Sequence, residues 1–230
     1  YQILNLNNKK VASIGTLGVK SKNLKINLSN TTIDPIKLSK ILNNLKRQNI
    51  DNVIMEASSH GLDQNRLDGL SFNTGIFTNL SQDHLDYHKN LKNYLKAKLY
   101  LFEHLIKKSG NVITDEEIPE FKKIKKITLN KNLNFYSLSD KKNNFQILSH
   151  EFQGETQLLR FKHNNSIYKI QLNLIGKIQL KNILMAIIAA IKSNINIKNI
   201  FKVIPKIKSV EGRFERIGSI KNKSKVILDY

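Results

Sequence analysis

One group of polar residues, directly after an apolar stretch, has residue types that could bind a cation or a phosphate. Residues 78–88 read T-N-L-S-Q-D-H-L-D-Y-H and follow a predicted strand at residues 75–78. In open α/β sheets, ligands bind beyond the carboxyl ends of the strands. The Asp and His side chains of this group could ligate a divalent cation or position a phosphate. The alternative is an ordinary polar loop in which Asp83 caps a helical turn.

A second polar group, residues 55–66, also begins where an apolar strand ends. Glu56 stands where the strand becomes a loop, which is a common position for a carboxylate that binds magnesium. Ser58, Gln64 and Arg66 offer a hydroxyl, an amide and a guanidinium group to an anionic ligand. Each of these residues alone is also compatible with an ordinary surface loop.

The elements that position these two groups alternate between strands and helices, which is typical of an α/β sheet. Asp34 followed by Pro35 predicts the start of a helix, and Ser109-Gly110 predicts the end of another. The predicted strands are residues 11–15, 52–55, 75–78, 111–114 and 226–228. The predicted helices are residues 34–48, 90–107, 180–192 and 197–207, the last interrupted by Pro205.

Between residues 125 and 174 the pattern changes to short β runs. The predicted strands in this region are residues 127–129, 135–137, 145–149, 157–161 and 167–172. Sheets built from such runs are usually antiparallel and partly exposed. Residues 140–144 are predicted to form a surface turn.

The composition narrows the class of protein. Of the 230 residues, 40% are hydrophobic and 24% are charged, which favours a globular chain over a disordered one. Because the chain has no cysteine, it forms no disulfide, zinc–thiolate site or cysteine nucleophile. No apolar run reaches the roughly 18–20 residues that span a bilayer. The absence of cysteine is compatible with a cytoplasmic protein, which is what we expect, and we expect no membrane partner.

The formal net charge of +20 raises the question of nucleic-acid binding. The basic residues are mostly Lys, and they are spread along the whole chain among many Asn and Ile. A dedicated binding face more often has clustered Arg between exposed aromatic residues. We therefore expect no nucleic-acid partner, although the excess charge would help to attract an anionic substrate such as a nucleotide.

Together, the two polar groups resemble the Mur ligase family, in particular its UDP-N-acetylmuramoyl-tripeptide synthetases. These enzymes carry an E-x-S-S-H-x-L-x-x-x-R stretch, matched here at residues 56–66, followed by T-N-L-x-x-D-H-L-D-Y-H, matched at residues 78–88. Residues 94–102 match the family's Y-x-x-A-K-x-x-L-F helix. The match continues in the same order over nearly the whole chain.

Further matches come with two departures from the family pattern. Asn30-Thr31-Thr32 resembles the N-T-T-P-D substrate loop, but Ile33 intervenes and displaces the proline. Gly176 and Asn182 resemble the G-x-x-N-x-x-N helix start, with Gln179 in place of the first Asn. Residues 211–216 resemble the P-G-R-x-E element, and Asp229-Tyr230 resembles the opening of the D-Y-A-H segment.

The resemblance implies a role for each matched residue. Glu56 and His84 would hold the magnesium ions that bridge the ATP phosphates and the reacting carboxylate. Lys98 matches the lysine that this family carbamylates, and its carbamate would be an anionic ligand for Mg²⁺. Without the resemblance, the expectation for Lys98 is an exposed helix lysine, which is the commonest environment of a lysine. The residues that would bind the UDP-muramoyl dipeptide are Asn30, Thr31, Thr32, Ser58, Gln64 and Arg66. Those that would contact the adenine, phosphates and ribose of ATP are Asn182, Arg213 and Asp229, respectively.

The resemblance also implies a fold and an activity. The fold would be a doubly wound, mostly parallel α/β sheet with a small antiparallel β insertion at residues 1–210, and the start of a C-terminal α/β domain at residues 211–230. The activity would be that of a monomeric, ATP-dependent amide ligase. It would add meso-diaminopimelate to UDP-N-acetylmuramoyl-L-alanyl-D-glutamate through an acyl phosphate. The alternatives are a synthetase that adds L-lysine and a non-catalytic remnant that binds the muramoyl nucleotide.

One part of the family's ATP site has no counterpart in these 230 residues. The Gly-rich loop G-T-N-G-K-T-T, whose backbone N–H groups and Lys cradle phosphates, does not occur. We therefore expect a piece of a longer ligase that cannot catalyse ligation by itself. Folylpolyglutamate synthase and cyanophycin synthetase share the fold, but we would not expect them to carry Ser58-Ser59-His60 together with the D-H-L-D-Y-H run.

Overall fold

The computed structural model describes residues 1–139, 145–153, 156–174, 176–213, 215–219 and 225–229, so the turn predicted at residues 140–144 lies outside them. The chain divides into two compact units, Tyr1–Phe135 and Tyr136–Tyr230. Within the described ranges no helix is both long and apolar enough to cross a membrane. The domain boundary predicted between residues 210 and 211 stays a prediction.

The first unit has two sets of strands. In the four-stranded sheet, β3 (Lys25–Ile26), β2 (Gly18–Lys20), β1 (Val11–Gly15) and β4 (Asn52–Met55) follow in that order. β1 and β4 are parallel, with Ile14 opposite Met55. β5 (Phe72–Ile76) pairs in parallel with β6 (Ile106–Asp115). The helices of this unit are α1 (Gln2–Leu6), α2 (Pro35–Arg47), α3 (Ser59–Asp63), α4 (Leu85–His88), α5 (Leu91–Tyr100) and α6 (Phe121–Asn130).

The start of α2 confirms the sequence prediction. The Asp34 carboxylate accepts a hydrogen bond from the Lys37 backbone N–H at 2.9 Å, and Pro35 opens the first turn. The side chains on the buried face of α2 pack against β1 and β2 in one apolar cluster with Ile14 and Val19. This packing fixes the loop that leads from β3 into α2.

Two predictions in this unit are wrong. The helix predicted at residues 90–107 ends as an α-helix at Tyr100, passes through a π-helical segment, Leu101–Leu105, and is followed by β6 from Ile106. Pairing of Ile106 with Phe72 of β5 draws this end of the segment into a strand. Residues 127–129, predicted as a strand, lie in α6 because Ile124 and Thr128, four residues apart, share its buried face.

The second unit contains most of β7 (Asn134–Ser139), then β8 (Phe145–Gln153), β9 (Thr156–His163) and β10 (Ser166–Leu172). β8, β9 and β10 form the antiparallel region that the short β runs predict, whereas β7 and β8 pair in parallel. α7 (Lys177–Lys192) and α8 (Ile197–Val203) follow, and a 3₁₀ turn at Ile204–Lys206 replaces the predicted continuation of α8 through Pro205. β11 (Glu215–Ser219) and β12 (Lys225–Leu228) form an antiparallel pair.

Candidate active site

Glu56 follows β4 directly, and its carboxylate is held at the end of β1. Its Oε2 accepts hydrogen bonds from the Thr16 backbone N–H at 2.8 Å and from the Thr16 hydroxyl at 2.7 Å. The Thr16 hydroxyl also lies 3.0 Å from the hydroxyl of Thr31. A Cβ at position 15 would come within 2.5 Å of the Glu56 carboxyl carbon, so this close approach requires Gly15. An exposed carboxylate is thus fixed where β1, β4 and the Thr31 loop meet.

Thr32 connects the predicted substrate loop to the second polar group. The residue is 4% exposed. Its hydroxyl donates to the Glu56 carbonyl at 3.0 Å and accepts from the Ser58 N–H at 2.9 Å. Its carbonyl accepts from Nη1 of Arg66 at 2.7 Å. The structure therefore uses the Thr32 hydroxyl internally and brings Thr32, Glu56, Ser58 and Arg66 together.

Ser58 and Gln64 lie at the two ends of α3. The Ser58 hydroxyl accepts from the Gly61 N–H at 3.1 Å and caps the helix. Nε2 of Gln64 donates to the Tyr87 hydroxyl at 3.0 Å, and that hydroxyl donates to Asp63 at the same distance. These bonds join the two polar groups that the sequence analysis singled out.

His84 lies in a cluster of aromatic rings that no spacing in the sequence predicts. Its backbone has a φ of 55°, in the left-handed region, and its N–H donates to Asp83 at 2.8 Å. Its ring centroid lies 5.0 Å from that of His60 and 5.8 Å from that of Tyr94, both nearly perpendicular. His60 also contacts the rings of Tyr87 and His88, at 4.2 and 5.4 Å.

The second histidine of the D-H-L-D-Y-H run has a different environment. His88 is 4% exposed, and its Nε2 lies 2.9 Å from the Ser59 hydroxyl. Its ring stacks on Tyr94 at a centroid distance of 5.0 Å. Burial lowers the pKa of His88. His88 therefore packs between Ser59 of α3 and Tyr94 of α5.

Lys98 lies on α5 and is half-buried, so it is not the exposed helix lysine of the alternative interpretation. Its Nζ donates to the Asn79 carbonyl at 2.7 Å and lies 5.2 Å from the ring centroids of both Phe77 and Tyr94. Burial lowers the pKa of Lys98, while the carboxylates of Glu120 and Asp83 oppose that shift. No motif in the sequence indicates that Glu120 influences the pKa of Lys98.

The fit of magnesium to this region depends on the state of Lys98. In the part of the chain that the structure describes, no three His, Asp or Glu side chains gather into a metal-binding group. Carboxylate oxygens such as those of Glu56 suit Mg²⁺, whereas a lysine amine does not. Oε2 of Glu120 is buried without a hydrogen-bond partner, so it is an acceptor that a cation would satisfy. A carbamate on Lys98 would be a further anionic oxygen ligand of the kind that suits Mg²⁺.

The remaining predicted residues lie outside the two polar groups. Asn30 is exposed in the loop before α2. In the second unit, Asn182 is partly buried on α7, and Asp229 is exposed after β12. Nε2 of Gln179 lies 3.4 Å from the carbonyl of Arg213, so this departure from the family pattern contacts the turn that carries the predicted phosphate-binding arginine.

Comparison with known proteins relates these residues to a family. The protein-family model described as the Mur ligase middle domain matches residues 1–190 of this chain. A UDP-N-acetylmuramoyl-L-alanyl-D-glutamate–2,6-diaminopimelate ligase from Zymomonas mobilis is 34% identical over 229 residues, which cover 100% of this chain and 47% of that protein. A solved structure of a ligase with that name has a TM-score of 0.83 at 24% identity, over 96% of this chain and 46% of that one. A structure described as an FPGS–AMPPCP complex has a TM-score of 0.74 at 13% identity, over 99% and 63% of the two chains.

These similarities differ in what they establish. The two solved structures confirm the expected fold class, an α/β fold that here contains both parallel and antiparallel pairs. The chain spans about half the length of the curated relatives that it matches. Because the family model covers most of the chain, the chain belongs to the Mur ligase family.

Proposed function

We propose that this chain is part of an ATP-dependent amide ligase that adds meso-diaminopimelate to UDP-N-acetylmuramoyl-L-alanyl-D-glutamate in peptidoglycan precursor synthesis. The observation that carries the proposal is the junction of its two motif loops, residues 56–66 and 78–88, through the Gln64–Tyr87 hydrogen bond and the His60–His84 ring contact. The name of the Zymomonas mobilis relative supports both the substrate and the added amino acid.

The proposed reaction has two steps. The terminal D-glutamate carboxylate attacks the γ-phosphate of ATP, which forms an acyl phosphate and releases ADP. The amine of the incoming amino acid then attacks the acyl carbon, and inorganic phosphate leaves. Charge develops on the transferred group, so positioning and electrostatic stabilisation supply most of the rate acceleration.

Three residues of this chain are proposed to form the catalytic and magnesium-binding set. Glu56 contributes a carboxylate whose orientation Thr16 fixes through two hydrogen bonds. His84 would be the second ligand. Lys98 would be the third after it adds carbon dioxide, which only its neutral amine does, and burial favours that neutral form by lowering its pKa. Magnesium held by these residues would neutralise charge on the phosphate oxygens.

The proposed muramoyl-dipeptide contacts belong to the first compact unit, and the proposed ATP contacts belong to the second. The bond from Nη1 of Arg66 to Thr32 uses one N–H group of the guanidinium, which has five in total. The others suit the anionic groups of the muramoyl nucleotide. The proposed muramoyl-dipeptide contacts are Asn30, Thr31, Thr32, Ser58, Gln64 and Arg66, and the proposed ATP contacts are Asn182, Arg213 and Asp229. The AMPPCP bound in a structure of similar fold supports the use of ATP. We further propose a monomeric cytoplasmic enzyme.

The proposal is tested with the longer protein that contains this chain. The purified protein is incubated with ATP, Mg²⁺, the muramoyl dipeptide nucleotide and either diaminopimelate or L-lysine. Phosphate release and product mass are then measured. We expect a tripeptide product with diaminopimelate and at least about tenfold less with L-lysine, a discrimination of about 1.4 kcal/mol. Preference for L-lysine would overturn the choice of amino acid. Absence of phosphate release with both amino acids would overturn the ligase proposal.

A matched pair of variants connects the activity to this site. Glu56→Gln removes the negative charge and should lower kcat by about 100-fold or more. Glu103→Gln removes a different carboxylate, which lies outside the proposed site, and should leave kcat unchanged. The 230-residue polypeptide alone should show no turnover, because the phosphate-binding loop of the family does not occur in it.

A further inference from the structure

Tyr94, on α5, contacts two residues of the proposed catalytic set. Lys98 follows Tyr94 by four residues, so the two side chains lie on the same face of the helix. Nζ of Lys98 lies over the Tyr94 ring, 5.2 Å from its centroid. The ring of His84 is nearly perpendicular to the Tyr94 ring, with the two centroids 5.8 Å apart. One aromatic ring therefore contacts His84 and Lys98, which belong to different segments of the chain.

The Tyr94 ring is itself held in place by its neighbours. Tyr94 is 6% exposed. The ring of His88 stacks on it at a centroid distance of 5.0 Å, with an angle of 16° between the two planes. His88 is joined to α3 in turn, because its Nε2 lies 2.9 Å from the Ser59 hydroxyl. The orientation of the Tyr94 ring is thus fixed from α3 as well as by its own helix.

The contacts of Tyr94 with the proposed catalytic residues belong to its ring. Among the described residues, the Tyr94 hydroxyl has no hydrogen-bond partner. A cation over an aromatic face is attracted by the quadrupole of the ring, and perpendicular pairs of rings are favoured for the same reason. Phenylalanine has the same ring and would keep both interactions. Leucine would fill much of the space and keep neither.

We propose that Tyr94 is a positioning residue for the ligase reaction, whose ring holds the side chains of His84 and Lys98 in the orientations that turnover requires. This inference rests on the proposed function. Tyr94 matches the first position of the Y-x-x-A-K-x-x-L-F helix, but the resemblance implies no role for it. Displacement of a reacting group by about 1 Å can lower the rate by about 100-fold. Loss of the ring should therefore act on kcat.

The simplest competing explanation is that Tyr94 only fills space in the first compact unit. Both explanations predict that Tyr94→Leu lowers the free energy of unfolding. They differ in the molecules that remain folded, which turn over at the wild-type rate if the role of Tyr94 is purely structural. With a positioning role, kcat falls and KM for the muramoyl nucleotide changes little. KM is spared because the ring contacts of Tyr94 are with His84, His88 and Lys98, and not with residues proposed to bind the dipeptide.

The test uses the longer protein that contains this chain, as wild type, Tyr94→Phe, Tyr94→Leu and Tyr136→Leu. The last variant is a matched control, because Tyr136 also has a lysine over its ring, with Nζ of Lys192 at 4.1 Å, but is not a proposed site residue. Both kcat and KM are measured at a temperature at which circular dichroism shows every variant to be folded. We expect kcat to fall at least about tenfold in Tyr94→Leu, with KM within about threefold of wild type. Tyr94→Phe should retain most of the activity, and the control should behave as wild type.

A second readout does not depend on turnover. The ring current of an aromatic side chain shifts the NMR signals of protons over its face upfield. In protein labelled with ¹³C-lysine, the methylene next to Nζ of Lys98 should show this shift, and the signal is assigned by its absence in Lys98→Arg. The shift should persist in Tyr94→Phe and in the control and decrease in Tyr94→Leu. It should not vanish there, because the Phe77 ring also lies 5.2 Å from Nζ.

The outcomes separate this inference from the function on which it rests. In an active wild-type ligase, wild-type kcat in Tyr94→Leu, an unchanged Lys98 signal in that variant, or an equal loss of kcat in Tyr94→Phe would overturn the inference alone. Absence of turnover in the wild type would overturn the proposed function and this inference with it. If Tyr94→Leu does not fold, Tyr94→Met supplies a flexible apolar side chain without a ring. Its kcat should also fall, and wild-type kcat in Tyr94→Met would then contradict the inference.

Discussion

The carboxylate of Glu56 accepts two hydrogen bonds from Thr16, a residue 40 positions earlier in the chain. The parallel pairing of β1 and β4 makes this possible, because it places Ile14 opposite Met55 and so brings the two following loops together. The Glu56 N–H continues the pairing with a hydrogen bond to the Ile14 carbonyl at 2.9 Å. The orientation of the proposed magnesium ligand is therefore set by the sheet.

Gly15→Ala should displace the Glu56 carboxylate. The added Cβ would come within 2.5 Å of the Glu56 carboxyl carbon, closer than side chains approach, so the carboxylate must move away from Thr16. If the proposed ligase activity is assayed, we expect kcat to fall by about 100-fold, the cost of misplacing a reacting group by about 1 Å. Gly218→Ala, where the new Cβ has no neighbour within 4 Å, is the control. Equal activity in both variants would contradict the proposed role of Glu56.

Thr32→Val should destabilise the protein through two unpaired backbone groups. Valine has nearly the same shape as threonine, but it leaves the Ser58 N–H and the Glu56 carbonyl without the partner that the hydroxyl provides. We expect a loss of about 1–3 kcal/mol in the free energy of unfolding, measured by urea denaturation. Thr78→Val, at an exposed threonine, should change that free energy by less than about 0.5 kcal/mol.

Local signals in the sequence predict the elements that depend on local chemistry. The Asp34-Pro35 pair predicts the start of α2, and the runs at residues 11–15 and 52–55 predict β1 and β4 with the bounds that the structure has. The wrong predictions are those that packing decides. The run at residues 127–129 has the composition of a strand, and only its packing through Thr128 and Ile124 makes it helical.

The sequence likewise predicts only those site residues that are adjacent in the chain. The two polar loops could be recognised because their polar and titratable side chains follow one another in the sequence. Thr16 was missed because it is a single polar residue whose hydrogen bonds to Glu56 depend on the pairing of β1 and β4. His60 was recognised as part of a motif, but its contacts with His84 and His88 require the tertiary fold. No pattern of spacing predicts such contacts.

Asn90→Ala should weaken the start of α5, the helix that carries Lys98. The Asn90 carboxamide oxygen accepts a hydrogen bond from the Asn93 N–H at 2.9 Å and caps the helix. Loss of such a cap costs about 1 kcal/mol in the free energy of unfolding. Thermal denaturation should show the loss in Asn90→Ala and its near absence in Asn90→Ser, because serine also caps helices. A larger loss in the serine variant would indicate that the amide has another role.

His88 should make the stability of the protein fall at acid pH. Burial lowers the pKa of His88 in the folded state, with further lowering by His60 and His84 and opposing contributions from Asp63 and Asp86. The unfolded state therefore binds a proton before the folded state does as the pH decreases. Stability due to the neutral imidazole is present above the unfolded-state value of 6.5 and is lost as the pH falls toward the lower folded-state pKa. One proton accounts for at most about 1.4 kcal/mol per pH unit.

The measurement compares urea unfolding at about pH 8 and about pH 5 for the wild type, His88→Asn and His104→Asn. His88→Asn removes the titrating group, so its free energy of unfolding should depend less on pH than that of the wild type. His104, on the π-helical segment, is exposed and serves as the control, and its replacement should leave the wild-type pH dependence intact. An identical pH dependence in all three proteins would show that the acid sensitivity arises elsewhere, and that proton binding by His88 is not linked to folding.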